Sequence, residues 1–382
     1  MKRKKPKPVS RSVPQLTELA RSCSERGELA EAALHLRSAL ALEPNHVVVL
    51  TMLGMVLEQS GQYADAIVVL EQARDVAPGY APAQLALGSV YAAAGHDALA
   101  VATMEHAIEL DPSTTIALER LAKHHLSADR RREAIGLFRR ILRRDPGNSH
   151  ARFFLAGLTG SADRCGAPER DTSLPATTPP DVIADLFDTY AATFDEHLLG
   201  HLHYAVPSLI AATVVDIAAP QDGSLRVLDL GCGTGLAGVQ LRRFARTLIG
   251  VDLSRRMVFQ ARQRGIYDEL YVEDLAATLS RVAEMDLIVA ADVFNYIGAL
   301  DGTFAACAAA LRLGGRAIFS IERGEGGAVE LKSTLRYTHA ESYIRNLAEA
   351  HGFVVERATV EVLRHENDHP VEGNIYALRR GA

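Results

Sequence analysis

The 382-residue chain has no uninterrupted apolar stretch that approaches the ~18 residues a membrane-spanning helix needs, which argues against membrane insertion. The N-terminus, Met1-Lys2-Arg3-Lys4-Lys5-Pro6-Lys7-Pro8, lacks the apolar core of a secretory signal. Residues 1–12 read instead as a basic, disordered, solubilising tail, with a weak contact to an acidic surface or nucleic acid as the lesser reading. Cysteine is scarce. Cys23, Cys165, Cys232 and Cys307 are scattered without metal-ligand spacing, so no metal site is expected, and a reduced, cytoplasmic protein is. Positive charge is short in the second half: residues 161–382 hold 21 Lys+Arg against 30 Asp+Glu, whereas residues 1–160 hold 20 against 17. A net-acidic half argues against nucleic acid as its main substrate, because phosphate contacts need concentrated cations.

What is present is a repeat. Pro44, Pro78, Pro112 and Pro146 fall 34 residues apart. Gly27, Gly61, Gly95 and Asp129 keep the same register, as do Ala32, Ala66, Ala100 and Ala134. The period and residues resemble the tetratricopeptide repeat, a helix, a turn, a second helix and a terminating proline. Leu50, Leu53, Gly54, Leu57, Ala66, Leu70 and Ala73 fill the expected packing positions of the second repeat. Leu87, Gly88, Tyr91, Ala100, Met104 and Ala107 fill those of the third. The outer repeats are looser, as terminal repeats often are. A capping helix is expected over about 149–158, so that the repeat region spans 13–158.

The resemblance implies protein binding through a concave face of first helices, which by register includes Arg21, Thr51, Met55, Leu85, Ser89, Glu119 and Lys123. The basic and Asn cluster of carboxylate-clamping, chaperone-binding relatives is not apparent; Thr17 and Met52 stand where it would be expected. A recruited protein and a homo-oligomeric contact remain as the two readings of this surface. Residues 159–180, rich in Pro, Ser, Thr and Ala, read as a linker.

The second half alternates strand and helix. Strand-like runs lie at Arg226–Leu230, Thr247–Val251, Glu269–Val272, Asp286–Ala290 and Arg316–Ile321, a rhythm that implies a parallel sheet covered on both faces. Two late runs, Phe353–Leu363 and Asn374–Arg379, follow a helix around Glu341–Ala350. They predict an edge hairpin joined by the polar loop 365–370.

The first of these strands ends in Val227-Leu228-Asp229-Leu230-Gly231-Cys232-Gly233-Thr234-Gly235. Glycines between a strand and a helix that starts near Leu236 let the backbone approach a ligand closely. Asp252 ends the next strand, 21 residues after Gly231, and suits an acid that holds the two hydroxyls of a ribose. A dinucleotide fingerprint would place a third glycine at Leu236, so that reading fails. The observed D-x-G-x-G-x-G resembles motif I of the class I S-adenosylmethionine-dependent methyltransferases. Asp274 falls where that family has an acid for the adenine amino group, Asp292 falls in its segment beside the methyl donor, and Gly314-Gly315 precede strand five.

The combination with N-terminal repeats resembles a bacterial family of predicted methyltransferases. The segment from Leu186 to Leu198, with Leu202-His203-Tyr204 and Pro207, looks like that family's entry to the catalytic domain. The resemblance implies a tetratricopeptide (TPR) solenoid, all-α, followed by an α/β Rossmann-like domain over 181–382 with a seven-stranded, mostly parallel sheet. It implies S-adenosyl-L-methionine bound by Asp229, Gly231, Cys232, Gly233, Thr234, Gly235, Asp252, Leu253, Asp274, Leu275 and Asp292, with Tyr190 and Phe194 as covers.

Methyl transfer is an in-line displacement, so a protein base is needed only where the acceptor must lose a proton early. His201, His203, His339 and Tyr296 are the candidates, with Asp292 able to orient an amine or hydroxyl. No Asn-Pro-Pro-Tyr or Asp-Pro-Pro-Tyr set follows strand four, which disfavours amide and nucleobase acceptors. The reading is a methyltransferase acting on oxygen or nitrogen of a small-molecule acceptor. Its rivals are a protein methyltransferase whose repeats recruit substrate, and a non-catalytic scaffold with a vestigial cofactor fold.

Overall fold

The computed structural model describes residues 11–159, 175–191, 193–218, 220–324, 327–366 and 369–381. The expected tail up to residue 10, most of the expected linker, and Cys165 lie outside the described residues. The chain divides into two compact units, Met1–Gly147 and Asn148–Ala382. Among the described residues, no single helix is long and apolar enough to cross a membrane.

The first unit is a solenoid of paired helices. The first helices of the pairs are α1 (Val13–Glu25), α3 (Val47–Gln59), α5 (Ala81–Ala93) and α7 (Thr115–Ser127). The second helices are α2 (Leu29–Leu42), α4 (Tyr63–Val76), α6 (Asp97–Leu110) and α8 (Arg131–Arg144). The sequence period has a backbone cause. Each pair turns through a left-handed residue, with φ of +79° at Gly27, +75° at Gly61, +81° at Gly95 and +56° at Asp129. Asp tolerates that conformation better than most residues, which explains the single departure from glycine. Ala32, Ala66, Ala100 and Ala134 are fully buried where the paired helices meet. Each proline lies two residues beyond its helix, where it cannot disturb the helical bonds.

The packing expected of repeats two and three is observed, from Leu50 through Ala107. The concave face is only partly as expected. Thr51 is buried and donates its hydroxyl to the Val47 carbonyl at 2.8 Å, so it is not presented to a partner. Arg120 reaches across to Ser89 Oγ at 2.7 Å, and Lys123 pairs with Glu119 at 3.1 Å.

The second unit begins with α9 (Ser149–Thr159), which packs its Phe153 ring 6.4 Å from that of Tyr337. Next come α10 (Pro180–Tyr190), the single turn α11 (Phe194–Glu196), a π-turn at His197–His201, and α12 (Val206–Ala218). An alternating stretch follows: β1 (Leu225–Leu230), α13 (Leu236–Leu241), β2 (Ala245–Asp252), α14 (Arg255–Gln263), β3 (Glu269–Val272), α15 (Leu275–Arg281), β4 (Met285–Ala290), α16 (Asp301–Ala310) and β5 (Leu311–Glu322). The chain closes with a small hairpin of β6 (Val329–Leu331) and β7 (Tyr337–His339), then α17 (Glu341–Ala350), β8 (Phe353–Glu366) and β9 (His369–Arg380).

The main sheet has seven strands in the order β3-β2-β1-β4-β5-β9-β8. Strands β1 to β5 are parallel, and β9 runs antiparallel between β5 and β8. Alternate residues feed the two faces. Leu228, Leu230, Ile288 and Phe319 join one apolar cluster, and Val227, Leu248, Val289 and Ile318 join the other. Burial on both faces is why these strands read as continuous apolar runs.

Three sequence expectations change. The late hairpin is longer than predicted, because cross-strand pairing continues through Arg364↔Val371 to Glu366↔His369; of the predicted loop only residues 367–368 lie outside the strands, and these are not described. Of the hairpin's two strands only β8 lies at a sheet edge, since β9 sits between β5 and β8. Gly314-Gly315 lie inside β5 rather than before it, at a register shift in the β4–β5 pairing. The β6–β7 hairpin was not foreseen, since three-residue strands carry no period.

Gly54 tests the repeat packing. A Cβ there would sit 2.6 Å from Leu70 Cδ2 and 2.8 Å from Cδ1, and Leu70 is fully buried. Gly54→Ala is expected to destabilise the first unit by about 1–2 kcal/mol despite its better helix propensity, read as a lower urea midpoint of the repeat transition.

Candidate functional site

Strand order reverses between β1 and β4, and parallel sheets bind ligands at the carboxyl ends of strands flanking such a point. A cavity of about 480 Å³ lies there. One end is floored by the turn from β1 into α13. Gly231, Gly233 and Gly235 all have positive φ, +61°, +53° and +94°. Gly231 also has no room for a side chain, because a Cβ would lie 2.5 Å from Val293 Cγ2. At Gly233 a Cβ would meet only Phe194 Cε1, at 3.9 Å, so the bare backbone faces open space under that ring.

Asp252 ties this turn to the next strand. Its Oδ2 accepts the Gly233 N–H at 2.9 Å, and its Oδ1 accepts the Ser254 N–H at 2.8 Å. Burial pushes its carboxyl up to about 6, against the lowering effect of those two bonds. Leu253, Leu275 and Leu279 form an apolar shelf beside it. Asp274 lines the cavity and caps α15 by accepting the Ala276 N–H at 2.8 Å.

Two aromatic rings close the space above. Phe187 of α10 stands edge-on to Phe194 and to Tyr296, at 6.0 and 5.5 Å. The entry segment is pinned by carboxylates. Asp188 accepts the Ser254 hydroxyl at 2.5 Å, and Asp195 accepts the Thr234 hydroxyl at 2.5 Å and bonds Arg264. Arg264 in turn donates to the Thr234 carbonyl at 2.6 Å.

The far end of the cavity is polar and was largely missed by sequence reasoning. Asp292, at the end of β4, has φ +60°, a strained conformation for a side-chain-bearing residue. Its carboxylate accepts from Asn295 and Arg336 and lies 3.5 Å from Arg364 Nη1. Glu322, at the end of β5, bonds the same two arginines. Burial alone would raise the Asp292 carboxyl, but the two guanidiniums hold it below the usual aspartate range. Arg336 donates to the Tyr296 hydroxyl at 3.0 Å. Tyr204 also lines the cavity; burial, then the Asp292 charge, push its phenol well above the ordinary value. Arg336 and Arg364 come from the small hairpin and the edge strand, far from any glycine motif, and a single sequence gives no signal for them.

Residues 227–315 match a family model described as a methyltransferase domain. This part of the chain is a methyltransferase domain. Residues 25–72, 57–123 and 119–158 match tetratricopeptide repeat models, so the repeats precede the methyltransferase domain in one chain. The chain is similar to a ubiquinone biosynthesis O-methyltransferase of Aromatoleum aromaticum, 29% identical over 25% of this chain and 43% of the relative. A ubiquinone biosynthesis O-methyltransferase of Thiobacillus denitrificans is 30% identical over 28% of this chain and 47% of its own length. The chain thus spans under half the length of these relatives. Among solved structures it is similar to magnesium protoporphyrin IX methyltransferase from Synechocystis with bound SAM, 23% identical with a TM-score of 0.36, over 46% of this chain and 78% of that one.

Of the residues proposed from sequence, Gly231, Cys232, Gly233, Thr234, Asp252, Leu253, Asp274, Leu275, Asp292, Phe194 and Tyr296 line the cavity of the methyltransferase domain. Several others do not. Asp229 is fully buried and is not part of the cavity wall; it accepts the Tyr267 hydroxyl at 2.6 Å. Burial pushes its carboxyl up to about 7. Tyr190 ends α10 and is 50% exposed, past the cavity wall, and Phe187 covers the site in its place. Gly235 shapes the turn from behind, against Arg264 and Tyr267.

The histidines are not at the cavity either. His201 stacks on His197, and His203 stands edge-on to His365 at 5.8 Å. His339 is buried with Nε2 at 3.0 Å from the Ile297 carbonyl, and burial pushes it down to about 4, so it is neutral.

Gly231 tests the floor. Gly231→Ala combines a clash with Val293 and an αL alanine, and is expected to cost about 1–3 kcal/mol of domain stability, measured by denaturant unfolding.

Proposed function

We propose that the second unit is an S-adenosylmethionine-dependent methyltransferase acting on oxygen or nitrogen of a small molecule, and that the repeats bind a protein partner or a second copy. The observation that carries this is one cavity joining a bare glycine turn and two strand-end acids at one end to Asp292, Arg336, Arg364 and Tyr204 at the other. The names of the relatives, ubiquinone biosynthesis O-methyltransferases, support an oxygen acceptor. The three described cysteines are all unpaired, which supports a reducing, cytoplasmic setting.

The residues fit the methyl donor. Gly231 and Gly233 leave room for close approach, Asp252 offers a carboxylate to vicinal hydroxyls, and the Leu253–Leu275 shelf suits a flat base with Asp274 at its edge. When bound, the donor supplies a methyl group on a sulfonium whose sulfur departs as a neutral thioether. Asp252 is held in place by the Gly233 and Ser254 amides, so it costs little to orient. Phe187 and Phe194 give the space above the turn an apolar wall. Asp292 is held ionised by its arginines and contributes a fixed negative charge rather than a proton exchanger.

Asp252→Ala is expected to weaken binding of S-adenosylmethionine by at least about tenfold, the loss of a charge-assisted bond to a buried acceptor, with the fold retained. Equilibrium dialysis measures it, and an unchanged dissociation constant refutes the role. The same carboxylate has a pH signature. It accepts hydroxyl bonds as the anion, so wild-type affinity is expected to fall as pH drops through about 6. A flat profile from pH 8 to pH 5 would place the binding elsewhere.

A further inference from the structure

The acceptor end of the cavity carries more than a site for an unspecified oxygen or nitrogen. Resting on the methyltransferase reading, we propose that the acceptor is a flat, apolar molecule methylated on an oxygen that is already anionic at neutral pH, a carboxylate or an acidic hydroxyl. Arg336, Arg364 and the Tyr204 hydroxyl hold that oxygen.

Three observations converge. The first is the arrangement of charge. Arg336, Arg364 and Asp292 line the cavity, whereas Glu322 and Glu366, which also bond the arginines, do not. The wall therefore presents two guanidiniums and one carboxylate, with the other carboxylates behind as props. Arg336 uses Nη1 and Nη2 for its bonds to Asp292, Glu322 and Tyr296, and no protein acceptor engages its Nε. Arg364 Nη1 has only the long 3.5 Å contact with Asp292. Both guanidiniums keep donor capacity toward the cavity.

The second is the absence of a base among the described residues of this wall. Asp292 is engaged by Asn295 and both arginines. Tyr204 and Tyr296 are phenols that burial keeps protonated, so they donate. The histidines His201, His203 and His339 are not on the cavity wall. An acceptor that had to lose a proton would find nothing to take it. An anionic oxygen has none to lose: its lone pair forms the O–CH₃ bond, the C–S bond of the methyl donor breaks with its electron pair remaining on sulfur, and no proton is released.

The third is Tyr204 itself. Its ring lines the cavity and its hydroxyl has no protein hydrogen-bond partner, while its backbone is pinned through N–H to the Leu198 carbonyl at 3.0 Å. The preceding residue, His203, adopts φ +48°, strain that aims the next side chain inward. Aromatic walls at Phe187 and Tyr296 suit a flat, apolar body for the rest of the acceptor.

The test is binding to the full-length protein saturated with S-adenosylhomocysteine, by calorimetry, with benzoate and trans-cinnamate as probes against benzamide and cinnamamide. At least one acid is expected to bind tenfold or more tighter than its amide. Arg336→Gln should abolish that preference, and Tyr204→Phe, which leaves the ion cluster intact, should weaken the acid by about threefold to tenfold. Unchanged affinity for S-adenosylhomocysteine in both variants shows that the fold is kept. Acids that do not bind, or bind no better than their amides, overturn the proposal, as does a preference that survives in Arg336→Gln. Failure of S-adenosylhomocysteine itself to bind the wild type would overturn the methyltransferase reading and this one with it.

Discussion

The site depends on one hydrogen-bonded tie, the Asp252 carboxylate accepting the Gly233 amide across the ends of β2 and β1. A strand buried on both faces cannot turn into a helix over a ligand without leaving amides exposed to an apolar interior. The left-handed glycines solve the geometry, and the strand-end acid solves the electrostatics. The arrangement fixes the turn, orients the carboxylate and leaves a backbone surface that no Cβ covers. The remaining parts are attached to that tie: Ser254 completes the acid's coordination and holds Asp188, and Thr234 and Arg264 hold Asp195. Through those two acids the entry segment is fastened over the turn it covers.

The two ends of the cavity are built on different principles. The glycine end uses backbone and one buried acid, with apolar walls. The far end uses an ion cluster in which each charge faces an opposite one, Asp292 and Glu322 against Arg336 and Arg364. Buried ion pairs of this kind add little stability, since desolvation offsets much of the attraction, and their value lies in fixing positions. The strained backbone at Asp292 and at His203 falls in or beside this end, as strain tends to collect where function requires an exact geometry.

Legibility in the sequence followed the physics of each part. Periodic features were readable: the 34-residue proline register marks helix ends, and the apolar runs mark strands buried on both faces. The glycine turn and Asp252 were readable because a left-handed turn and a strand-end carboxylate leave fixed spacings. Asp229 shares the motif but not the cavity, because alternation along β1 sends it to the face where Tyr267 meets it. The arginines and Tyr204 were not readable as site residues, because long-range folding brings Arg336, Arg364 and Asp292 together from segments with no common spacing. Tyr190 carries no sequence sign that α10 ends there, which leaves it half exposed, while Phe187 three positions earlier lines the cavity.

In the proposed site the glycine turn and Asp252 hold a nucleoside at one end of the cavity. A crystal structure of the intact protein with S-adenosylhomocysteine tests it most directly. The ribose hydroxyls are expected on the Asp252 carboxylate, the base on the Leu253–Leu275 shelf beside Asp274, and the sulfur directed toward Asp292 and Tyr204. Density for the nucleoside elsewhere in the protein, or an Asp252 carboxylate without a hydroxyl partner in the occupied site, would contradict it.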